Sequence, residues 1–253
     1  MTAVLETNGL TIRFGGQVAV DAVSCAFHPG TLTAIVGPNG AGKTTYFNLI
    51  SGQLRATAGD VLLHGKRITH LPAPLRARRG LGRAFQLTNL FPDLTVLENV
   101  RLAVQARAGI GMHFLGMATD HIELTDRAWE YLDQVRLGER SAVPAAVLNH
   151  GDQRKLEVAI LLALEPEIFM FDEPTAGMSV DEVPVVLDLI EAIKARGDKT
   201  ILLVEHKMDV VRRLADRVIV LHQGALVADG DPADVVASPI VQEAYLGIRR
   251  ADG

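Results

Sequence analysis

The chain has 253 residues, 48% of them apolar, enough to bury the core of one large α/β domain or of a core domain carrying a smaller lobe. A formal net charge of −5 argues against a general nucleic-acid binder, and the longest apolar runs, such as residues 160–164 and 168–171, are far too short to span a bilayer. No charged-then-apolar leader precedes the first strand pattern, and the single cysteine, Cys25, rules out an internal disulfide, so the expected compartment is a reducing cytoplasm.

Residues 4–65 read as β-rich structure enclosing a glycine-rich loop. Leu10-Thr11-Ile12-Arg13-Phe14 alternates like a strand, Gly15-Gly16 turns the chain, and residues 18–27 return as a second strand. Cys25 lies in that strand and reads as buried filler. Phe14, just ahead of the turn, has two readings from spacing alone: an aromatic that stacks on an adenine face, or ordinary core packing. After a turn at Pro29-Gly30, residues 31–36 form a buried β run. It feeds directly into Gly37-Pro38-Asn39-Gly40-Ala41-Gly42-Lys43-Thr44-Thr45, which fits the G-x-x-x-x-G-K-[ST] pattern. Glycines let successive backbone N–H groups turn inward on phosphates, and the helix expected over residues 46–50 adds its positive N-terminus. Lys43 is placed to reach the β- and γ-phosphates and the Thr44 hydroxyl to sit on Mg²⁺, so this stretch is a nucleoside triphosphate site.

Gly59-Asp60 precedes a further strand at residues 61–63. Residues 71–83 suit a short helix started near Pro72 and Pro74, and Arg76, Arg78, Arg79 and Arg83 then read as its solvated face in preference to a docking patch. Phe85-Gln86 ends a strand, and from Val96 to about residue 147 helical patterns alternate with a Gly- and Met-containing stretch at 109–116. This part reads as a helical lobe inserted into an α/β core, with Trp129, Leu132 and Val135 at helical spacing as its core residues. A helix is expected over 151–164. Ile168-Phe169-Met170-Phe171-Asp172-Glu173 then has the pattern of a buried parallel strand delivering two acids at its C-terminal end. A helix over 183–195, a buried strand over 200–204 ending in Glu205-His206, a hairpin-like pair (218–221 and 225–228) around Gln223-Gly224, and a helical stretch over 232–246 complete the chain.

Taken in order, the phosphate loop, Phe85-Gln86, Leu148-Asn149-His150-Gly151-Asp152-Gln153-Arg154, Phe169 to Thr175 and Val204-Glu205-His206 resemble the ATP-binding subunit of ABC transporters over nearly the whole chain. The resemblance implies a P-loop NTPase core with an N-terminal antiparallel β subdomain (together residues 1–88 and 165–253) and an α-helical subdomain over about 89–164. It implies ATP and Mg²⁺ as ligands. Asp172, Thr44 and Gln86 would serve the metal, Glu173 would polarise the attacking water, and His206 would sense the γ-phosphate. Gln86 would also couple the nucleotide to the helical lobe, and Phe14 takes the adenine-stacking position. Asn149, Gly151 and Gln153 fall in the segment that caps the ATP of an opposite subunit.

That segment departs from the family's Leu-Ser-Gly-Gly-Gln: Asn149 stands for Ser, His150 for the first Gly and Asp152 for Gln. Ser179 likewise stands where most members carry an aspartate. Asn149 can donate as serine does, His150 and Asp152 are expected to be tolerant, and Asp152 to be slightly unfavourable for closing two ATP sites. Ala176-Gly177-Met178, His150, Lys155-Leu156-Glu157 and Ala244-Tyr245-Leu246-Gly247 look like the branched-chain amino acid importer branch, to which urea and short-chain amide importers also belong. The expected partners are membrane permease subunits, a second ATP-binding subunit (identical or different) and a periplasmic or extracellular solute-binding protein, with no nucleic acid. The chain is then expected peripherally on the inner face of the cell membrane. An exporter or lipopolysaccharide-type ATPase remains a second reading, and a soluble ABC protein without membrane partners a third.

Overall fold

The computed structural model describes residues 2–84, 90–109, 118–239 and 241. Two sheets carry the fold. The first is antiparallel, in the order β2-β1-β4-β5, built from β1 (Leu5–Phe14), β2 (Gln17–Phe27), β4 (Ala58–Leu63) and β5 (Lys66–Arg67). Leu5, Leu10 and Ile12 of β1 are in the core, a register shift between Thr7 and Leu10 turning the later residues of the strand inward, and the register pairs Phe14 with Gln17 across the Gly15-Gly16 turn. Cys25 is buried, and burial pushes its thiol pKa up, as suits an inert filler.

The second sheet has the order β10-β9-β3-β8-β7-β6. β3 (Leu32–Val36), β6 (Leu81–Ala84), β7 (Ile168–Asp172), β8 (Thr200–Val204) and β9 (Arg217–His222) run parallel, and β10 (Ala225–Gly230) closes the edge antiparallel to β9. Every residue of β3, β7 and β8 is buried, which is why these strands read as unbroken apolar runs. Helix α1 (Lys43–Ser51) follows β3 directly, and α6 (Val183–Ala195) links β7 to β8.

Helices α3 (Val96–Arg107), α4 (Ala118–Gln134) and α5 (His150–Leu164) pack on one another and share a continuous apolar cluster with Phe169, Phe171 and Leu203 of the sheet. A capping box starts α3: Thr95 Oγ1 accepts from the Glu98 N–H, and Glu98 Oε2 accepts from the Thr95 N–H, both at 3.1 Å. Leu132 and Val135 are core residues as expected, but Trp129 is 41% exposed, its ring lying along Gly138 at the surface.

The short helix expected over 71–83 is cut to α2 (Ala73–Ala77). Leu81–Ala84 instead pairs with β7 (Leu81 opposite Ile168), because an exposed parallel edge offers these residues a full hydrogen-bond ladder and burial for Leu81 and Ala84. The solvated-face reading fails for two of the four arginines. Arg76 is 2% exposed and donates to the carbonyls of Leu49, Ile50, Thr69 and Leu71 at 2.7–2.9 Å. Burial lowers its pKa to about 10, which leaves it charged at neutral pH. Helix α7 (Met208–Leu214), after β8, was not foreseen. Helix α8 (Pro232–Ala237) stops before Ser238, whose extended backbone precedes Pro239. The rest of the expected stretch beyond residue 241 lies outside the described residues, as do Gln86, Ala244–Gly247 and most of 109–116. Among the described residues, no helix is long and apolar enough to cross a membrane.

Candidate functional site

The phosphate loop connects the C-terminal end of β3 to α1. Gly42 caps α1 in a left-handed conformation (φ 97), and a Cβ there would overlap the Ala19 carbonyl; a Cβ at Gly37 would likewise overlap the Leu221 carbonyl. No larger residue fits either place, so the spacing of the two glycines follows from the packing of β2 and β9 around the loop. Lys43 is 7% exposed and donates from Nζ to the carbonyls of Gly37 (2.7 Å) and Pro38 (3.1 Å), which folds its ammonium back over the loop. Burial lowers its pKa, while the carboxylates of Glu173 and Asp172 pull it back up.

The loop forms one wall of an open cleft of about 690 Å³. Asn39, Gly40, Ala41, Gly42, Lys43, Thr44 and Thr45 line it together with Phe14, Gln17, Val18, Ala19, Glu173, Gln223 and Gly224. Phe14 is 51% exposed at its rim, so it is not the core residue that one reading of the spacing allowed. Gln17 and Gln223 carry no motif of their own; the β1–β2 and β9–β10 turns bring them to the site.

Asp172 and Glu173 stand at the end of β7, beside the loop. The Asp172 carboxylate is 6% exposed, and Arg83, from the adjacent β6, donates to its Oδ2 at 2.9 Å. Burial raises the Asp172 pKa and Arg83 opposes this most strongly. The Arg83 fork also reaches Asn48 Oδ1 (2.6 Å), Ser51 Oγ (2.8 Å) and Gln53 Oε1 (2.8 Å), and lies 5.0 Å from the centre of the Phe47 ring. Arg83 thus ties the acid at the strand end to the helix that follows the phosphate loop. Sequence reasoning missed it, since a lone Arg in a basic stretch carries no sign of partners 30 or more residues away.

Glu173 adopts φ 49, uncommon for a non-glycine residue and expected to cost on the order of 1–3 kcal/mol. Its N–H donates to the Val204 carbonyl (2.9 Å), and its carbonyl accepts from Ala176, which holds the strained turn and aims the side chain into the cleft. His206, at the end of β8, has Nδ1 3.6 Å from Glu173 Oε1 and 3.4 Å from Glu205 Oε1. Glu205 is fully buried; it accepts from the N–H groups of His206 (2.8 Å) and Lys207 (3.0 Å) and from Thr175 Oγ1 (3.4 Å). This carboxylate shapes the turn that presents His206, a role its neighbouring position in the sequence did not reveal.

Asn149, Gly151 and Gln153 do not line this cleft. Asn149 is the N-cap of α5, its Oδ1 accepting from the Asp152 N–H at 2.8 Å, and Gln153 donates to the Leu148 carbonyl at 3.1 Å. Asp152 is 7% exposed and paired with Lys155 at 2.9 Å. A buried, ion-paired carboxylate is not a tolerant position, because removing it leaves the Lys155 ammonium short of a partner.

A glycine-lined phosphate cradle between a buried parallel strand and a helix N-terminus, flanked by acids delivered from the end of a strand two places along the sheet, defines the class of P-loop nucleoside triphosphatases. Comparison with known proteins narrows this. The family described as "ABC transporter" matches residues 20–176, and that described as "Branched-chain amino acid ATP-binding cassette transporter" matches residues 225–250. The chain is 38% identical over 250 residues to the high-affinity branched-chain amino acid transport ATP-binding protein LivG of Escherichia coli (strain K12), covering 96% of this chain and 98% of that protein. It is 37% identical to BraF of Pseudomonas aeruginosa, with the same coverage. The solved structure of a nucleotide-free ATP-binding cassette from an ABC transporter superposes with a TM-score of 0.82 at 27% identity, covering 98% of this chain and 100% of that one. A dimeric cassette in a post-hydrolysis state bound to ADP and Pi superposes with a TM-score of 0.77 at 26% identity, covering 90% and 98%. The chain belongs to the ATP-binding subunits of ABC transporters, ATPases that drive transport, and within them to the branch of LivG and BraF.

Proposed function

We propose that this chain hydrolyses ATP to power uptake of branched-chain or related amino acids, acting as one of two cassettes beneath membrane permease subunits. The observation that carries this reading is the likeness to LivG, which runs through 98% of that protein's length and is joined by the separate match at residues 225–250. In this reading residues 89–164 act as the helical lobe, and a solute-binding protein outside the membrane delivers the solute. The chain is then held at the inner face of the membrane by its permeases.

Roles at the site follow from the geometry above. The loop N–H groups and Lys43 hold the phosphates, and Phe14 stacks on the adenine at the cleft rim. Glu173 takes a proton from the attacking water, with His206 beside it to contact the γ-phosphate. Among the described residues, no cluster of three or more His, Cys, Asp or Glu can hold a metal by itself. The hard oxygens of Thr44 and Asp172 nevertheless fit Mg²⁺, which takes one or two protein ligands and draws the rest from phosphates and water. Mg²⁺ would supply charge neutralisation at the β- and γ-oxygens. Gln86 is assigned to the same ion on resemblance alone. Because Asn149 and Gly151 lie outside the cleft, one chain does not close its own site, and we assign their contacts to the ATP of the second cassette.

The test is expression of a tagged chain with its candidate permeases, followed by purification from solubilised membranes and solute uptake by the cells. Co-purification and loss of leucine, isoleucine and valine uptake on Glu173→Gln support the proposal. Loss of urea or amide uptake instead would move the chain to the neighbouring importers. Recovery without any membrane partner would overturn it.

A further inference from the structure

Two of the departures from the family pattern, Asp152 in the signature segment and Ser179 in the loop after the catalytic acids, are joined through Lys155 and Glu182. Glu182 Oε2 accepts from the Ser179 N–H (3.2 Å) and from Ser179 Oγ (2.9 Å), while its Oε1 lies 3.4 Å from Lys155 Nζ. Lys155 in turn holds Asp152 at 2.9 Å, and the Asp152 N–H is capped by Asn149. A Cβ built at Gly151 would overlap the Glu182 carboxylate, so glycine here makes room for that group as well as exposing backbone. One residue earlier, the His150 ring lies over Gly177, with Cε1 3.1 Å from where a Cβ would stand. The start of α5 and the loop at 176–182 are therefore interlocked at two points, through Glu182 and through His150.

We propose that Glu182 is a positioning residue that joins the Asn149–Gly151 capping segment to the Gly177–Ser179 loop, so that the two engage an opposing cassette as one body. This rests on the two-cassette reading above. Glu182 touches no nucleotide on its own side: the cleft at the phosphate loop is lined without it. Its loss is thus felt in closing the dimer and in turnover, while nucleotide binding by the single chain is spared. The charge of Glu182 matters because Lys155, with its side chain 11% exposed, is shared between two carboxylates; Asp152 alone then draws it away from the loop.

The experiment uses the full chain in the hydrolysis-deficient Glu173→Gln background, with Mg-ATP, and reads dimerisation by sedimentation alongside nucleotide affinity of the dilute monomer. Glu182→Ala is expected to weaken ATP-driven dimerisation about tenfold, the loss typical of a hydrogen bond to a charged group. Monomer affinity is expected to stay within about twofold, and in the otherwise native chain the loss falls on kcat. Glu182→Gln keeps an acceptor for Ser179 and loses the ion pair, so it recovers part of the loss. Dimerisation of Glu182→Ala equal to its parent overturns the proposal, and so does a fall in monomer affinity or thermal stability in step with dimerisation. A parent that fails to dimerise with ATP removes the two-cassette reading itself and this proposal with it. A parent that dimerises with a Glu182→Ala variant that matches it removes only the role of Glu182.

Discussion

Replacing Arg83 by methionine tests how the acid end of β7 is held. The Arg83 and Asp172 side chains are 7% and 6% exposed, and the guanidinium also serves Asn48, Ser51 and Gln53. Removing one partner of a buried pair leaves the other charge uncompensated and costs about 3–5 kcal/mol. For a chain of this size that corresponds to a fall in Tm of roughly 6–20 °C. The loss should depend on pH with a definite sign. Burial already holds the Asp172 pKa above its ordinary value of 3.8, so the fold disfavours the charged form. That cost is absent when the carboxyl is protonated both folded and unfolded, and it grows as pH rises through the folded value. Without Arg83 the folded value rises further, so the variant should lose more stability at about pH 8 than at about pH 5. Urea unfolding at both values measures this, and Asp172→Asn in the Arg83→Met background should restore part of the loss. A loss below about 1 kcal/mol, the size typical of a surface pair, or no restoration by Asp172→Asn, would refute the reasoning.

Glu173→Gln should leave ATP binding intact and lower turnover by at least about 10²-fold, since it removes only water activation; near-normal steady-state hydrolysis would take Glu173 out of the mechanism. Lys43→Ala should weaken ATP binding itself, measured by titration, and unchanged affinity would count against the phosphate-loop assignment. Arg76→Met should cost about 2–4 kcal/mol in urea unfolding, because it strips donors from four carbonyls, three of them in buried hydrogen bonds, whereas a solvated residue would lose about 0.5 or less. Asp152→Gln, which breaks the Lys155 pair, should loosen the ATP-bound dimer of the Glu173→Gln chain; a tighter dimer would restore the view of Asp152 as a repulsive charge near the γ-phosphate.

Where a signal is local, the sequence carried it plainly. The apolar runs of β3, β7 and β8, the spacing of Gly37, Gly42 and Lys43, and the stop of α5 before Pro166 all depend on residues next to one another. What escaped reading depends on partners far along the chain. Arg76 and Arg83 look solvated in a basic stretch until α1 and β7 supply their acceptors. Leu81–Ala84 has too few residues to show a period of two, and only the β7 edge makes it a strand. Asp152 and Ser179 read as unrelated departures because Glu182 and Lys155, which join them, stand 27 residues apart. Helix α7 did leave a local mark, Asp209 in its first turn and Arg212 and Arg213 in its last, which complements the helix dipole.

The account turns on ATP being hydrolysed at a site shared by two cassettes, the phosphate loop of one meeting the Asn149–Gly151 segment of the other. Steady-state ATP hydrolysis measured against protein concentration tests this most directly. Specific activity should be low in dilute protein and rise with concentration, or on adding the partner cassette, as dimers form. Turnover that is independent of concentration while the protein remains monomeric throughout would contradict it.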